Sequence, residues 1–521
     1  MNSRLLPVLI YVVLLAMLNA CVTPGPGTAT DISEKQDFPP GTDTRDDERQ
    51  DRPYDLLRDP SDRSLAEVAE LSSNMIGYQP DVALEVLRSL ETVPSGQLRA
   101  MIDSQLYDPE FTEWLELSLQ MRTSLINGYP IEEAAKYWVD YHYGHAVDHA
   151  NFVELALRYQ ALFSTPAQVA ILLPAEGGFA AAGNAIRDGI VSAYLDQPGG
   201  SVIRFYSSGE SSETALAAYQ QAGDDGATQI IGPLRIGSTR ALASQHNATI
   251  PVLLLNEPGG NLPIGTRQES FVNSLSLSQS EEAAAIAGKA IEMGYRQAVV
   301  LVPDNAWGTR IETTFKTMFE QGEGQISATS RFNRAAKDHS AMLTQLLKID
   351  ESKQRKTDLQ AFLGTPLSFE ASRRDDFDFI FMAANPQEGR ELKPLLRFHD
   401  AGDIPVYAMS RVFSGKVQGA IDQDLNDIIF PITPWQLDKE NIAGMLPASV
   451  RDGAFGNLFA LGQDAWQILP WLPLMQKDPD LWFPGSVGLL RLQEDGRLHR
   501  EPAWAQFSAG QPVPYQWPEL H

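Results

Sequence analysis

From about residue 166 onward, short apolar runs alternate with longer stretches of helical spacing, a pattern that few folds accommodate. This alternation predicts parallel sheets with helices on both faces. The roughly 355 residues that follow are too many for one small sheet, so we expect two α/β lobes with a cleft between them. The apolar runs lie at 169–173, 202–206, 229–231, 252–255, 298–302, 377–382 and 404–408.

The region before these strands, 64–163, has apolar residues at helical spacing and predicts five or six helices in hairpins. Two of its segments are alike, Gly77-Tyr78-Gln79-Pro80 and Gly128-Tyr129-Pro130. Their spacing of about 51 residues differs from the roughly 34 of a tetratricopeptide array. A weak repeat and an irregular helical bundle therefore both stay open.

The N-terminus has the pattern of an exported lipoprotein. Arg4 precedes an apolar stretch at 5–18, shorter than a membrane-spanning helix of about 20 residues but long enough for a signal peptide. The order Leu18-Asn19-Ala20-Cys21 resembles a bacterial lipobox, so we expect cleavage before Cys21 and a lipid on its thiol. Val22, rather than Asp, favours anchoring to the periplasmic face of the outer membrane.

Charge and cysteine content restrict the partners. Cys21 is the only cysteine, which excludes an intramolecular disulfide and a cysteine-ligated zinc site. Residues 22–63 are rich in proline, glycine and charged groups, which predicts a flexible linker. The formal net charge of -26 would repel phosphate backbones and anionic lipid surfaces, so no nucleic-acid partner is expected.

The sequence carries none of the common catalytic motifs. Ser-x-x-Lys, G-x-S-x-G, the P-loop, G-x-G-x-x-G and H-E-x-x-H are all absent, so we predict neither an enzyme nor a cofactor. His142, His145 and His149 would share one face of a continuous helix, a spacing that could ligate a metal. Imidazoles packed among neighbouring tyrosines are the commoner alternative, and no metal site is predicted.

Residues that follow the strands are the candidates for a ligand site, because clefts of open α/β sheets form beyond the carboxyl ends of their strands. Acidic groups among them argue against an ordinary amino-acid ligand. For Asp304 or Asn305 a helix cap is the structural alternative, and for Glu176 a solvated loop. The candidates are Glu176, Gly177, Ser207, Ser208, Asn256, Glu257, Asp304, Asn305, Trp307, Asn385, Ser410 and Arg411.

Several longer motifs resemble the LppC family of lipoproteins. The resemblance covers about residues 165–510. It implies a type I periplasmic-binding-protein fold behind a tetratricopeptide-like helical domain. It also implies that the protein activates a class A penicillin-binding protein, a peptidoglycan synthase, from the outer membrane. The motifs are Ile171-Leu-Leu-Pro174, 180–189, Ile231-Gly-Pro-Leu234, 300–308, 373–381, and Ala383-Ala-Asn-Pro386 running on to 393–398.

The expected organisation combines these inferences. The alternative function is a lipid-anchored periplasmic solute receptor or sensor whose lobes close on a small molecule.

For the chain crossings between lobes we expect positions near 275, 410 and 507. The expected parts are a signal peptide at 1–20, the lipidated cysteine and linker at 21–63, a helical domain at 64–163, and a binding-protein-like domain at 164–521, with lobe 1 at 166–275 and 411–506 and lobe 2 at 276–410 and 507–521.

Overall fold

The computed structural model describes residues 59–196, 200–244, 249–259, 272–336, 338–442 and 455–518. They form a helical domain followed by an α/β domain with two sheets. The expected signal peptide, Cys21 and nearly all of the linker lie outside the described residues. Within the described part of the chain, no helix is both long and apolar enough to cross a membrane.

The helical domain is built from neighbouring helices that pack in pairs, α1 with α2, α3 with α4, and α5 with α6. Its core contains two fully buried tryptophans, Trp114 and Trp138. A capping box between Ser64 and Glu67 begins the first helix. The helices are α1 (Leu65–Ser73), α2 (Pro80–Leu90), α3 (Ser95–Ser104), α4 (Pro109–Ile126), α5 (Ile131–Tyr141) and α6 (His149–Gln160).

The two similar sequence segments form similar turns. Gly77 and Gly128 both adopt positive φ, 69° and 62°, a conformation that glycine reaches without steric cost. Pro80 then occupies the first turn of α2, and Pro130 is the N-cap of α5. The similarity of the two segments thus extends to the turns that they form between helices.

The three histidines do not share one helix, so that prediction is wrong. His142 follows the last residue of α5, His145 lies in the connecting loop and His149 begins α6. His142 stacks on Trp138 with the ring centroids 3.6 Å apart. The helix ends because the backbone leaves the helical region at His142, which the spacing alone could not reveal.

The α/β domain alternates strands and helices before ending in short antiparallel strands. Its elements are β1 (Gln168–Leu173), α7 (Ala180–Asp196), β2 (Val202–Ser207), α8 (Ser212–Asp224), β3 (Gln229–Ile231), α9 (Ile236–Ala243), β4 (Val252–Leu254), β5 (Val272–Leu275), α10 (Gln279–Glu292), β6 (Gln297–Pro303), α11 (Ala306–Gln321), β7 (Gln325–Phe332), α12 (Ser340–Leu346), α13 (Ile349–Leu363), β8 (Phe379–Met382), α14 (Pro386–Phe398), β9 (Val406–Ala408), β10 (Ile428–Ile432), α15 (Pro434–Ile442), α16 (Gly456–Gln467), α17 (Leu472–Lys477), β11 (Phe483–Pro484), β12 (Leu489–Leu492), β13 (Arg497–Glu501), β14 (Ala503–Ser508) and β15 (Gln511–Pro514).

Each lobe is centred on one sheet. The lobe 1 sheet has the order β11-β12-β13-β5-β4-β3-β1-β2, and its strands from β13 to β2 run parallel. The lobe 2 sheet has the order β15-β14-β10-β9-β8-β6-β7, with β10 to β7 parallel. Buried aliphatic and aromatic residues from the strands form the core of each lobe.

Two of the expected crossings between lobes are wrong. The strand β10 pairs with β9 through Ile428 and Val406, so the chain stays in lobe 2 until after Ile432 rather than leaving near 410. It returns to lobe 2 between β13 and β14, before 503 rather than near 507, because β14 pairs antiparallel with β10. Residues 411–432 and 503–506 therefore belong to lobe 2.

A buried ion pair attaches the helical domain to lobe 1. Arg122 on α4 donates to Asp478, directly after α17, at 3.1 Å between Nη1 and Oδ2, and neither side chain is exposed to solvent. Arg122 also donates to the backbone carbonyls of Leu90 and Val93, while the Ser95 N–H and hydroxyl donate to Asp478. The two charges are thus surrounded by hydrogen bonds, which offset the cost of burying them.

Further contacts at this junction reinforce the pair. Lys477 contacts Glu91 at 2.8 Å, and the backbone N–H of Gly96 donates to Asp480. Phe163 stacks on Trp471 with the ring centroids 5.3 Å apart. The helical domain therefore covers the edge of lobe 1 with both polar and aromatic contacts.

Replacing Asp478 with Ala should weaken this attachment strongly. The substitution leaves Arg122 buried without its charge partner, which typically costs about 3 to 5 kcal/mol. We expect a lower unfolding temperature and faster proteolytic cleavage of the helical domain, measured by calorimetry and limited trypsin digestion. Arg158→Ala is the control, because its ion pair with Asp81 is exposed and contributes little to stability. Equal effects of both variants would contradict a structural role for the buried pair.

Candidate functional site

The loop after β1 carries the first two candidate residues. Glu176 is exposed. Gly177 has φ of 75°, and a Cβ at this position would lie only 1.7 Å from the Glu210 carboxylate. The positive φ favours glycine here, whereas the exposed Glu210 side chain could move away from a Cβ. Gly177 thus shapes the loop, whereas Glu176 presents a carboxylate to solvent.

The candidates after β2 differ in exposure. Ser207 is exposed, and its Oγ accepts a hydrogen bond from the Gly209 N–H at 3.4 Å. Ser208 is only 1% exposed, and its hydroxyl has no hydrogen-bond partner among the described residues. Neither serine therefore offers an exposed hydroxyl free of local contacts.

The candidates after β4 are bound to neighbouring segments of lobe 1. Asn256 donates from Nδ2 to the Leu234 carbonyl at 3.1 Å. Its Oδ1 accepts from the backbone N–H of Glu257. The Ser276 hydroxyl donates to the Glu257 carboxylate at 3.2 Å, which connects this loop to the first crossing between lobes.

Two asparagines of lobe 2 are helix caps. Asn305 Oδ1 accepts from the Gly308 N–H at 2.8 Å at the start of α11. Asn385 and Glu388 form a reciprocal capping box at the start of α14, with bonds of 2.9 and 2.8 Å. Both amides satisfy backbone groups that would otherwise lack partners. Asp304, the other residue weighed as a cap, is exposed.

Trp307 lies between two arginines. The Arg411 guanidinium carbon is 4.9 Å and that of Arg334 is 5.7 Å from the centre of a Trp307 ring. The indole N–H donates to Gln279 at 2.7 Å, and Arg334 pairs with Glu388 at 2.7 Å. Trp307 and Arg411, two of the candidate residues, therefore contact each other.

Ser410 binds a buried carboxylate of α10. Its backbone N–H and its hydroxyl donate to the two oxygens of Glu282 at 2.6 and 2.7 Å. Glu282 is 6% exposed, and burial raises its pKa above the ordinary value. This contact joins the end of β9 to the helix that follows the first crossing.

The neighbouring Glu281 is a second acidic group at this crossing. Its Oε2 is buried without a hydrogen-bond partner in the described part of the chain. Burial and the charge of Glu257 raise its pKa to about 7, although Arg500 and Arg497 oppose the shift. The carboxylate of Glu257 in lobe 1 thus raises the pKa of Glu281 in lobe 2, close to the first crossing between the lobes.

A third buried acid lies behind this group, on α16. Asp464 is fully buried and accepts hydrogen bonds from the N–H groups of Ser486 and Val487 at 2.6 and 2.8 Å. Burial raises its pKa to about 7, although these two bonds lower it. Arg500 provides the compensating positive charge.

Sequence reasoning missed Glu281, Glu282 and Arg334. A signal existed for the first, because Ser278 and Glu281 have the capping spacing and Ser278 Oγ accepts from the Glu281 N–H. That signal predicts a helix start and not a buried acid. No local pattern identifies Arg334, whose partners lie on other elements.

The candidate residues mainly hold the cleft loops in place. Among those described, the amides cap helices or bind loop backbone, Ser410 binds Glu282, and Arg411 stacks on Trp307. The described residues also contain no cluster of three His, Cys, Asp or Glu side chains able to hold a metal ion. The arrangement thus places a group of carboxylates near the first crossing between the lobes, and a tryptophan, Trp307, beside two arginines.

Replacing Glu281 with Gln should change how stability depends on pH. The folded state keeps a proton on Glu281 up to about pH 7, whereas the unfolded chain releases it near 4.5. The unfolding free energy of the wild type therefore falls as pH rises through that window. At pH 8 the variant should be more stable than the wild type by on the order of 2 kcal/mol, with little difference at pH 4.

Thermal unfolding of both proteins between pH 4 and 8 measures this difference. Glu292→Gln is the matched control, because it removes an exposed carboxylate from the same helix and should leave the pH profile unchanged. A difference between Glu281→Gln and wild type that stays constant with pH would show that Glu281 does not titrate in this window.

Solved structures with a similar fold include LpoA from Haemophilus influenzae in a monoclinic form. It has a TM-score of 0.55 at 19% identity, covering 87% of this chain and 77% of the other. The C-terminal domain of the Haemophilus influenzae protein, described as a regulator of PBP1A, has a TM-score of 0.50 at 20% identity, covering 67% and 100%. These similarities show the fold, a helical domain before a type I periplasmic-binding-protein domain.

Similar curated sequences are named penicillin-binding protein activator LpoA. That of Photobacterium profundum is 25% identical over 408 residues, covering 76% of this chain and 65% of the relative. That of Vibrio antiquarius is 25% identical over 464 residues, covering 86% and 72%. The first match thus spans less than two thirds of that relative's length.

The model of one family, described as "LppC putative lipoprotein", matches residues 71–510. That range includes most of the helical domain and nearly all of the α/β domain, so the chain belongs to the LppC lipoprotein family.

Proposed function

We propose that this protein regulates peptidoglycan synthesis by binding and activating a class A penicillin-binding protein. The observation that carries the proposal is the family match over 71–510, together with relatives named as activators of penicillin-binding proteins. The match includes both domains, so the proposal concerns the whole described body. The protein itself performs no chemistry in this scheme.

A lipid on Cys21 would fix the protein to the inner leaflet of the outer membrane. The roughly 40 residues that follow have the composition of a flexible linker, with a typical end-to-end distance on the order of 35 Å. The folded body would then be held within the periplasm, where it can meet a synthase rooted in the inner membrane. The acidic charge of the chain keeps it from adhering to anionic lipid surfaces.

Activation would be a coupling free energy between two proteins. If docking favours the active state of the synthase by about 1 to 3 kcal/mol, its activity rises about 5- to 150-fold. Such an activator must present a defined surface, because a loosely attached module cannot favour one state of its partner. The buried pair of Arg122 and Asp478 supports this requirement, since it fixes the helical domain on lobe 1.

The alternative function, a solute receptor, has less support from the cleft. A receptor of this fold needs polar groups that are free to bind ligand. Here Asn305 and Asn385 are occupied as helix caps, and Arg411 stacks on Trp307. These contacts favour a fold that keeps the architecture of a receptor and uses its outer surface for protein binding.

Purified protein lacking the signal peptide should bind the class A penicillin-binding protein of the same bacterium and accelerate cross-linking. We expect saturable binding and a several-fold or greater rise in transpeptidation rate, measured with a lipid-linked disaccharide-pentapeptide substrate. Asp478→Ala should reduce activation at equal concentration, because it loosens the two-domain body, whereas Arg158→Ala should not. Absence of both binding and acceleration would refute the proposal for that synthase.

Replacing Cys21 with Ser should separate anchoring from activation. The variant should activate the synthase in solution as well as the wild type does, because the folded body is unchanged. In cells it should lose function, since no lipid can hold it at the outer membrane. The measurement is membrane fractionation together with rescue of a strain lacking the gene. Rescue equal to wild type by a variant found only in the soluble fraction would contradict a need for the anchor.

A further inference from the structure

A cavity of about 570 Å³ lies between the helical domain and lobe 1, away from the residues of the interlobe cleft. Its floor includes the first residue of β3, Gln229, and the second of β5, Asn273, with Pro251 immediately before β4. The floor is therefore the amino-terminal edge of the lobe 1 sheet, whereas the cleft candidates follow its carboxyl ends. The volume is in the range of ordinary small-ligand sites, about 300 to 1,000 Å³.

Two buried amides in the floor occupy positions where the core would favour aliphatic residues. Gln229 is 7% exposed and Asn273 is 5% exposed. The residues two positions further along the same strands, Ile231 and Leu275, point to the same side of the sheet and belong to the lobe 1 core. The sequence thus places an amide on this apolar face only where each strand meets the cavity.

These amides have unused hydrogen-bonding capacity. Asn273 lines the cavity, and no hydrogen bond joins its side chain to the described residues. Gln229 donates from Nε2 to the carbonyl of Ile230 at 3.2 Å, and no group in the described structure donates to its Oε1. Neither amide contains a fully buried atom that lacks a partner, and both side chains line the cavity. A ligand with its own donors and acceptors would satisfy both side chains.

Part of the remaining wall is apolar. Leu472 and Pro473 of α17 form one side, and Phe163 and Pro166 of the segment that joins the two domains form another. Proline and aromatic side chains lose little conformational entropy when they bind a ligand. These side chains can contact the apolar parts of a small molecule.

One cation at the rim, Arg88, makes no ion pair with the described residues. Arg88 is exposed, whereas Lys477 is paired with Glu91. A guanidinium prefers carboxylate or phosphate oxygens, to which it can donate two parallel hydrogen bonds. The rim therefore favours a ligand with an anionic end, while the floor favours one with amide groups.

We propose that this cavity binds a short peptide with a free terminal carboxylate. Asn273 and Gln229 pair with its backbone amides, the proline and phenylalanine walls hold its side chains, and Arg88 binds the carboxylate. The test measures peptide binding directly, so it does not depend on activation of a synthase. Because the cavity joins two domains, a bound peptide also strengthens their attachment.

Isothermal titration of the signal-less protein with N-acetyl-tripeptides ending in L- or D-alanine tests the proposal. We expect saturable binding of at least one acid and at least tenfold weaker binding of its C-terminal amide. Arg88→Gln should remove this preference for the acid. Arg99→Gln, another exposed cation of the helical domain that does not line the cavity, should bind as the wild type does.

Asn273→Leu distinguishes a ligand-binding role from a structural one. Leucine has the same branched shape as asparagine and needs no hydrogen-bond partner, so the unliganded variant should unfold at the same or a higher temperature while losing peptide binding. A lower unfolding temperature with intact binding would overturn the proposed role of Asn273. The absence of peptide binding up to about 10 mM, or binding of an N-acetylglucosamine disaccharide instead, would overturn the proposal as a whole.

Discussion

The ion pair between Arg122 and Asp478 is the interaction on which the arrangement of this molecule depends. Apolar contacts are non-directional, so burial alone would allow the helical domain to rotate or slide on lobe 1. A fully buried guanidinium and carboxylate permit only geometries in which their hydrogen bonds are made. The orientation of the helical domain, and the cavity between the domains, follow from that requirement.

The residues that follow the strands mainly stabilise the loops in which they lie. Asn305 and Asn385 stabilise helix starts, and Ser410 binds Glu282. Glu176 and Asp304 are exposed. The guanidinium groups of Arg411 and Arg334 both lie near the Trp307 ring. The fold alone therefore does not establish solute binding by this chain, because ligand binding depends on which side chains remain unoccupied.

The sequence predicted the parallel strands whose residues are continuously apolar, because a strand buried on both faces has that pattern. It missed β5, β7, β10 and the strands after 480, although it predicted the short strands β3 and β4 and the edge strand β2. The edge strand β7 is mostly half-buried or exposed, and β10 contains Pro431, which argues against a strand interior. The missed β10 produced the error in the lobe boundary. Contacts such as Ser410 with Glu282 join residues far apart in sequence, so no local pattern could have predicted them.

The last part of lobe 1 contacts both the helical domain and the crossing between lobes. Asp478 binds Arg122 at one end, and Arg500 acts on Glu281 at the other. Between them, Asp464 holds the backbone of Ser486 and Val487, and the carbonyl of Val487 accepts from Arg500. Continuity of this kind does not by itself measure coupling. A partner that binds the helical domain and a charge change at the crossing between lobes would nevertheless act on the same segment, 464–501. This segment therefore connects the helical domain with the crossing.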